Sequence, residues 1–164
     1  MPICKPDDLP AALPPAARLL GLDVGGATVG VAVSDPSLTI ATARETLRRG
    51  RRFRDVATRL LALLDDAGAA GAVVGLPLDP SGRKGPRAQA AEGFVRNLLA
   101  LRDLPVAFWD ERHSTNAVER TMLQADISRA KRAVAIDAAA AAYILQGYLD
   151  YLKDHGAPSN FEGA

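Results

Sequence analysis

Residues 19–35, LLGLDVGGATVGVAVSD, set an aspartate inside what otherwise reads as two buried strands joined at a glycine pair. Apolar runs from Leu19 to Val24 and from Val29 to Ser34 flank Gly25-Gly26, which predicts a hairpin of strands about five residues long. A core strand carrying Asp23 must account for its charge, because an ionised carboxylate without a partner is very costly to bury. Turn chemistry, a bound phosphate or a metal ion could each do so. Val24 separates Asp23 from the glycines, and a stiff β-branched residue is a poor member of a tight turn. The glycines would let a phosphate backbone approach with no Cβ in the way.

The hairpin opens a longer alternation of periods. A third strand is expected over Ile40–Leu47. In residues 51–68, Phe53, Val56, Ala57, Leu60, Leu61 and Leu64 recur at helical spacing, and Gly68 supplies a stop. GAVVGLPL (71–78) reads as a buried strand and DPSGRKGP (79–86) as a loop. Pro86 suits the first turn of a helix whose apolar stripe is Ala90, Phe94, Val95, Leu98 and Leu99. PVAFW (105–109) is a further strand, and Ser114 is a suitable N-cap for the helix after it. A basic connection, ISRAKRAV, leads to an alanine-rich helix over about 133–153. Strands linked through helices should run parallel with right-handed crossovers, and the first three antiparallel. The expectation is an α/β domain with a mixed five-stranded sheet and helices on both faces. Residues 1–18 hold five prolines and are expected to form a flexible arm outside the domain (19–153), with a loose tail at 154–164.

Composition narrows the chemistry. A chain of 164 residues, 48% hydrophobic, suits one compact domain, and its net charge of +1 excludes a globally basic nucleic-acid binder while allowing local basic patches. Cys4 is the sole cysteine, and His113 and His155 are the only histidines, so neither a disulfide nor a thiolate zinc site can be built. No apolar run is long enough to span a bilayer, and the chain reads as a cytoplasmic protein with no membrane partner.

Three carboxylates besides Asp23 draw attention. Asp110 and Glu111 follow the strand at 105–109, and in extended geometry neighbouring side chains take opposite faces, so at most one can turn toward Asp23. A solvated strand end paired with Arg112 is the alternative. Asp137, on a helix, shares a face with Ala141, Ile144 and Tyr148, where small alanines would let the helix approach the sheet. Placement in a helix's first turn, where the dipole favours an acid, is the alternative there. Isolated carboxylates with no histidine or cysteine cluster favour oxygen-ligated Mg2+ or Mn2+. Such a site can hold two ions about 4 Å apart for phosphodiester hydrolysis. Basic residues gather at Arg48–Arg54, at Arg83, Lys84 and Arg87, and at Arg129, Lys131 and Arg132; the latter two groups could grip flanking phosphates. No aromatic stacking signature of the RRM type is present. GGATVG lacks the dinucleotide-binding spacing and leads into a strand.

Taken together, LGLDVG…VGVAVSD (20–35), VVGLPLDPSGRKGPRAQ (73–89), WDERHST (109–115) and SRAKRAVAIDAAAAAYILQGYLD (128–150) resemble the YqgF (RuvX) family of bacterial ribonuclease-H-like proteins. The resemblance implies a ribonuclease-H-like fold and a nuclease linked to maturation of the 5′ end of pre-16S rRNA. It further implies an acidic triad of Asp23, Glu111 and Asp137 with a divalent metal, Asp110 standing second to Glu111. Gly25, Gly26, Arg83, Lys84, Arg87, Thr115, Arg129, Lys131 and Arg132 would contact nucleic acid, in a ribosomal precursor particle or a branched DNA. Ala27 and Thr28 stand where the family usually carries a basic residue, His113 where an aliphatic one is common, and VVGLP ends without an acid, Asp79 being nearest. A Holliday junction resolvase with the same metal site, requiring a homodimer, is the alternative. A non-catalytic nucleic-acid-binding or ATP-binding module is a further one.

Overall fold

The strand and helix periods meet in one mixed sheet. The computed structural model describes residues 3–110 and 129–155, with side chains over 3–110 and 137–155. In chain order the elements are β1 (Ile3–Cys4), β2 (Arg18–Val24), β3 (Thr28–Ser34), β4 (Ala41–Arg48), α1 (Phe53–Asp66), β5 (Ala69–Leu76), α2 (Pro86–Leu101), β6 (Val106–Asp110) and α3 (Arg129–Asp154). The sheet order is β1-β6-β5-β2-β3-β4. β2, β3 and β4 form the expected antiparallel meander, and β2, β5, β6 and β1 run parallel to one another.

Alternation along the strands divides the core in two. Leu20, Leu22, Val24, Val29, Val31, Val74 and Val106 pack beneath Val56, Leu60, Phe94 and Leu98 of α1 and α2. Leu19, Ala32, Val73 and Ala107 pack beneath Ala141, Ile144, Leu145 and Tyr148 of α3. Gly68, at φ 68°, takes the left-handed turn that ends α1, its amide bonding to the Asp65 carbonyl. On α2 the buried stripe includes Ala88 and Ala91, whereas Ala90, expected within it, is exposed.

Two expectations need correction. Within the expected arm, residues 3–18 do not lie outside the fold. Ile3 and Cys4 pair in parallel with Val106 and Ala107, adding a sixth strand to the expected five, and Arg18 already belongs to β2. Leu9 is fully buried, Leu13 packs on the α3 side of the core, and the Tyr148 hydroxyl donates to the Pro6 carbonyl at 2.6 Å. Prolines break ladders but do not prevent side chains between them from docking, and burying Leu9 alone stabilises by roughly 1.5–3 kcal/mol. The basic stretch 129–132, expected in a connection, forms the start of α3. The predicted helix behind Ser114 and most of the tail (156–164) lie outside the described residues.

Candidate active site

Helix α3 rests directly on β2 and β3 because each has a glycine, with no side chain, where the helix crosses it. An ideal Cβ on Gly30 would stand 2.0 Å from the Asp137 carbonyl oxygen, and one on Gly21 would stand 2.6 Å from the Leu145 Cβ and 2.9 Å from the Ala141 carbonyl oxygen. Either would be impossible without moving the helix. Ala141, itself fully buried, completes this close approach.

That contact sets the acids. Asp23 is the antiparallel partner of Gly30, and the alternation Leu19–Gly21–Asp23 puts its side chain on the α3 face. Thr28, two residues before Gly30, occupies the diagonal position to Asp23, where Cα atoms are about 7–8 Å apart. Its Oγ1 donates to Oδ2 of Asp137 at 2.7 Å, tying the helix carboxylate to the hairpin. Both aspartates are half-buried. Asp137 is the ninth residue of α3, two full turns beyond Arg129, so the helix-dipole account of its presence does not apply.

The β2–β3 turn is held from below. The Gly25 amide donates to the Thr28 carbonyl at 2.8 Å, and the Gly25 carbonyl accepts from Arg49 Nη1 at 2.8 Å. The Arg49 guanidinium also lies over the Phe94 ring, 5.2 Å from its centroid, and the Arg49 amide bonds to the Ala27 carbonyl. Within the basic run 48–54, Arg49 is thus a structural brace reaching the turn from the far end of β4. Neither Gly25 nor Gly26 has a positive φ. A Cβ at Gly25 would press on the Thr28 carbonyl at 3.1 Å, whereas one at Gly26 would meet nothing within 4 Å. The space around Gly26 at the tip of the turn is therefore open.

The remaining expected residues lie as follows. Phe108 packs on the α1/α2 side of β6 and Trp109 on the α3 side, so alternation assigns Asp110 to the side opposite Asp23 and Asp137. Asp110 does not join them, and among the described residues no three His, Cys, Asp or Glu side chains gather closely enough to hold a metal ion. Glu111 and Thr115 lie outside the described residues, and the side chains of Arg129, Lys131 and Arg132 are likewise not described. Asp79 caps its own loop: Oδ1 accepts from the Ser81 amide and hydroxyl and the Arg83 amide, and these bonds, the Ser81 hydroxyl first, hold its pKa below the ordinary carboxylate range. It is exposed and remote in role from Asp23. Arg83, Lys84 and Arg87 are exposed beyond β5, and Lys84 pairs with Glu92 at 2.9 Å.

Two residues of this site escaped sequence reasoning. Thr28 had a legible signal, since it shares its strand face with Gly30 and Ala32, the small residues opposite Asp23 and Gly21. Arg49 had none, because its partners Gly25 and Phe94 lie 24 and 45 positions away.

A profile of the RuvX family, described as Holliday junction resolvase, matches residues 17–151. A protein of Paramagnetospirillum magneticum named "Putative pre-16S rRNA nuclease" is 53% identical over 150 residues, 92% of this chain and 96% of that one. One of the same name from Rhodospirillum rubrum is 55% identical over 153 residues, 93% and 94% of the two chains. Among solved structures, T. thermophilus RuvC in complex with a Holliday junction substrate superposes with a TM-score of 0.51 at 15% identity, covering 84% of this chain and 96% of that one. That likeness is one of fold, and agrees with the ribonuclease-H-like arrangement expected from the strand and helix order. With the profile spanning β2 to α3 and relatives more than half identical across nearly their whole length, the chain belongs to the RuvX (YqgF) family.

Proposed function

We propose that this protein is a divalent-metal-dependent nuclease that hydrolyses phosphodiester bonds in the cytoplasm, acting in 5′-end processing of pre-16S rRNA. The observation that carries the reading is the seating of α3 on Gly30, which brings Asp137 to the Thr28 hydroxyl diagonal to Asp23. Carboxylates and a hydroxyl are all oxygen donors, with no imidazole or thiolate among them, and oxygen donors suit Mg2+ or Mn2+. Asp23 and Asp137 would hold the ion together with Glu111, which takes the place of Asp110 because strand alternation sends Asp110 to the other face. A bound divalent ion would activate water and stabilise the leaving oxygen of the phosphodiester. Thr28 orients the Asp137 carboxylate by its hydrogen bond, and Arg49 fixes the turn that carries Thr28. Gly26 leaves room for a backbone phosphate at the turn, and the exposed Arg83, Lys84 and Arg87, with Thr115, Arg129, Lys131 and Arg132, supply contacts along the strand.

The names carried by the two relatives support the rRNA substrate. The family description favours a second reading, resolution of branched DNA, which needs two paired active sites and therefore a homodimer. Asp23→Asn, purified and folded, is expected to lose cleavage of a precursor-rRNA leader fragment by several orders of magnitude with Mg2+ or Mn2+. Wild-type rates in that variant would refute the site. Symmetric cutting of a four-way junction by a dimer, with the leader fragment left intact, would select the second reading.

A further inference from the structure

At the carboxyl ends of β5 and β6, by the end of α3 remote from Asp137, a cavity of about 600 Å³ opens, its walls including Phe108, Trp109, Tyr151, His155, Asp7 and Asp110. We propose that this cavity is a subsite for one unpaired nucleobase of the bound strand; the assignment rests on the nucleic-acid reading above but not on the metal. The walls are aromatic at close quarters. Trp109 and Tyr151 rings stand 5.2 Å apart at a tilt of 54°, and Tyr151 stacks on His155 at 4.1 Å and 24°. Flat rings presented at a cavity rim take any base by its π-face. The volume lies within the range of pockets that enclose a small organic group.

Charge decides against the alternative occupant, a phosphate. Two carboxylates, Asp7 and Asp110, line the cavity, and the Asp7 carboxylate facing Tyr151 holds the phenol's pKa above its ordinary value. Carboxylate oxygens repel phosphate and accept from exocyclic amino groups, so adenine, cytosine and guanine are favoured over uracil. Position fits as well. Leu22 pairs with Val74 and Gly75 with Trp109, which sets Trp109 two strand spacings, about 10 Å, from Asp23 on the same sheet face. A base held there belongs to a nucleotide further along the strand than the one whose phosphate lies at the acids. Gly147 of α3 makes the space for the indole, since a Cβ on it would stand 3.2 Å from Trp109 Nε1.

Trp109 is the only tryptophan in the chain, so its fluorescence reports on this cavity alone. The full-length protein is titrated, in EDTA to prevent cleavage, with a fluorescently labelled single-stranded RNA hexamer of adenines and with a hexamer made wholly abasic. Anisotropy of the label reads binding, and indole quenching reads stacking. The expected result is saturable quenching by the adenine hexamer and little by the abasic one. Tyr151→Ala and the surface variant His155→Ala should each weaken the adenine hexamer about 5–100-fold, the range of one lost stacking contact, and leave the abasic affinity unchanged. Equal quenching by both oligomers, anisotropic binding without quenching, or no binding of either would overturn the subsite. Quenching that persists while the metal-loaded enzyme cleaves no RNA or DNA would instead sink the nuclease reading and leave the subsite standing.

Discussion

Substituting Gly30 by alanine tests the contact on which the acid pair depends. The added Cβ would lie 2.0 Å from the Asp137 carbonyl oxygen and 2.5 Å from its carbonyl carbon, both rigid backbone atoms. Ordinary contact begins near 3.4 Å, so α3 must retreat by about 1.4 Å at that point. The helix cannot simply slide, because Leu145 and Ala141 are also seated closely on Gly21, at 2.6 and 2.9 Å from an ideal Cβ there. Overpacking of this kind costs about 1–3 kcal/mol, which for a chain of this length lowers Tm by about 2–12 °C. The same retreat draws Asp137 from Thr28 and Asp23, and misplacement by about 1 Å costs on the order of 100-fold in rate. Thermal unfolding followed by circular dichroism reads the first effect, and single-turnover cleavage of the leader fragment reads the second. Gly26→Ala is the matched control, since its Cβ meets nothing, and its Tm should stay within the effect of about 0.5 kcal/mol usual for surface changes. An unchanged Tm in Gly30→Ala would refute the seating of the helix. A lowered Tm with wild-type cleavage would refute the dependence of catalysis on where Asp137 stands.

Two further perturbations address the frame. Tyr148→Phe keeps the edge contact with Trp109 but removes the bond to the Pro6 carbonyl, worth about 0.5–1.5 kcal/mol. Amide hydrogen exchange over residues 8–13 should quicken about 2–10-fold, with no change at β2; unchanged exchange would mean that the hydroxyl does not tether the segment. Asp35 accepts from the Thr39 and Ile40 amides and the Ser37 hydroxyl; burial raises its pKa, but these bonds and the Thr39 hydroxyl outweigh it and hold the carboxyl well below the ordinary range. A depressed folded pKa contributes stability that is complete above the unfolded value near 3.9 and is lost as pH falls below it toward the folded pKa. The Tm deficit of Asp35→Asn should therefore be present at pH 7 and shrink below about pH 3, and a deficit independent of pH would contradict the assignment.

The order and type of the elements were legible because they depend on spacing within short windows. Short apolar runs bounded by glycine or proline marked β2, β3, β5 and β6, helical spacing marked α1 and α2, alanine richness marked α3, and Gly68 and Pro86 punctuated them where expected. Asp23 and Asp137 were legible for a related reason, as acids interrupting otherwise apolar faces. What required the folded chain was whatever depended on a partner remote in sequence. Gly30 looks like any strand glycine until a helix more than a hundred residues later lies on it. Arg49 looks like one of a solvated group until the hairpin turn and Phe94 close around it, and the N-terminal segment looks unstructured until β6 offers an edge and Tyr148 a hydroxyl. Aromatic residues scattered over β6 and the end of α3 became a cavity wall only in three dimensions. Local periodicity determines which face each residue presents; only the packing of the faces determines what it meets.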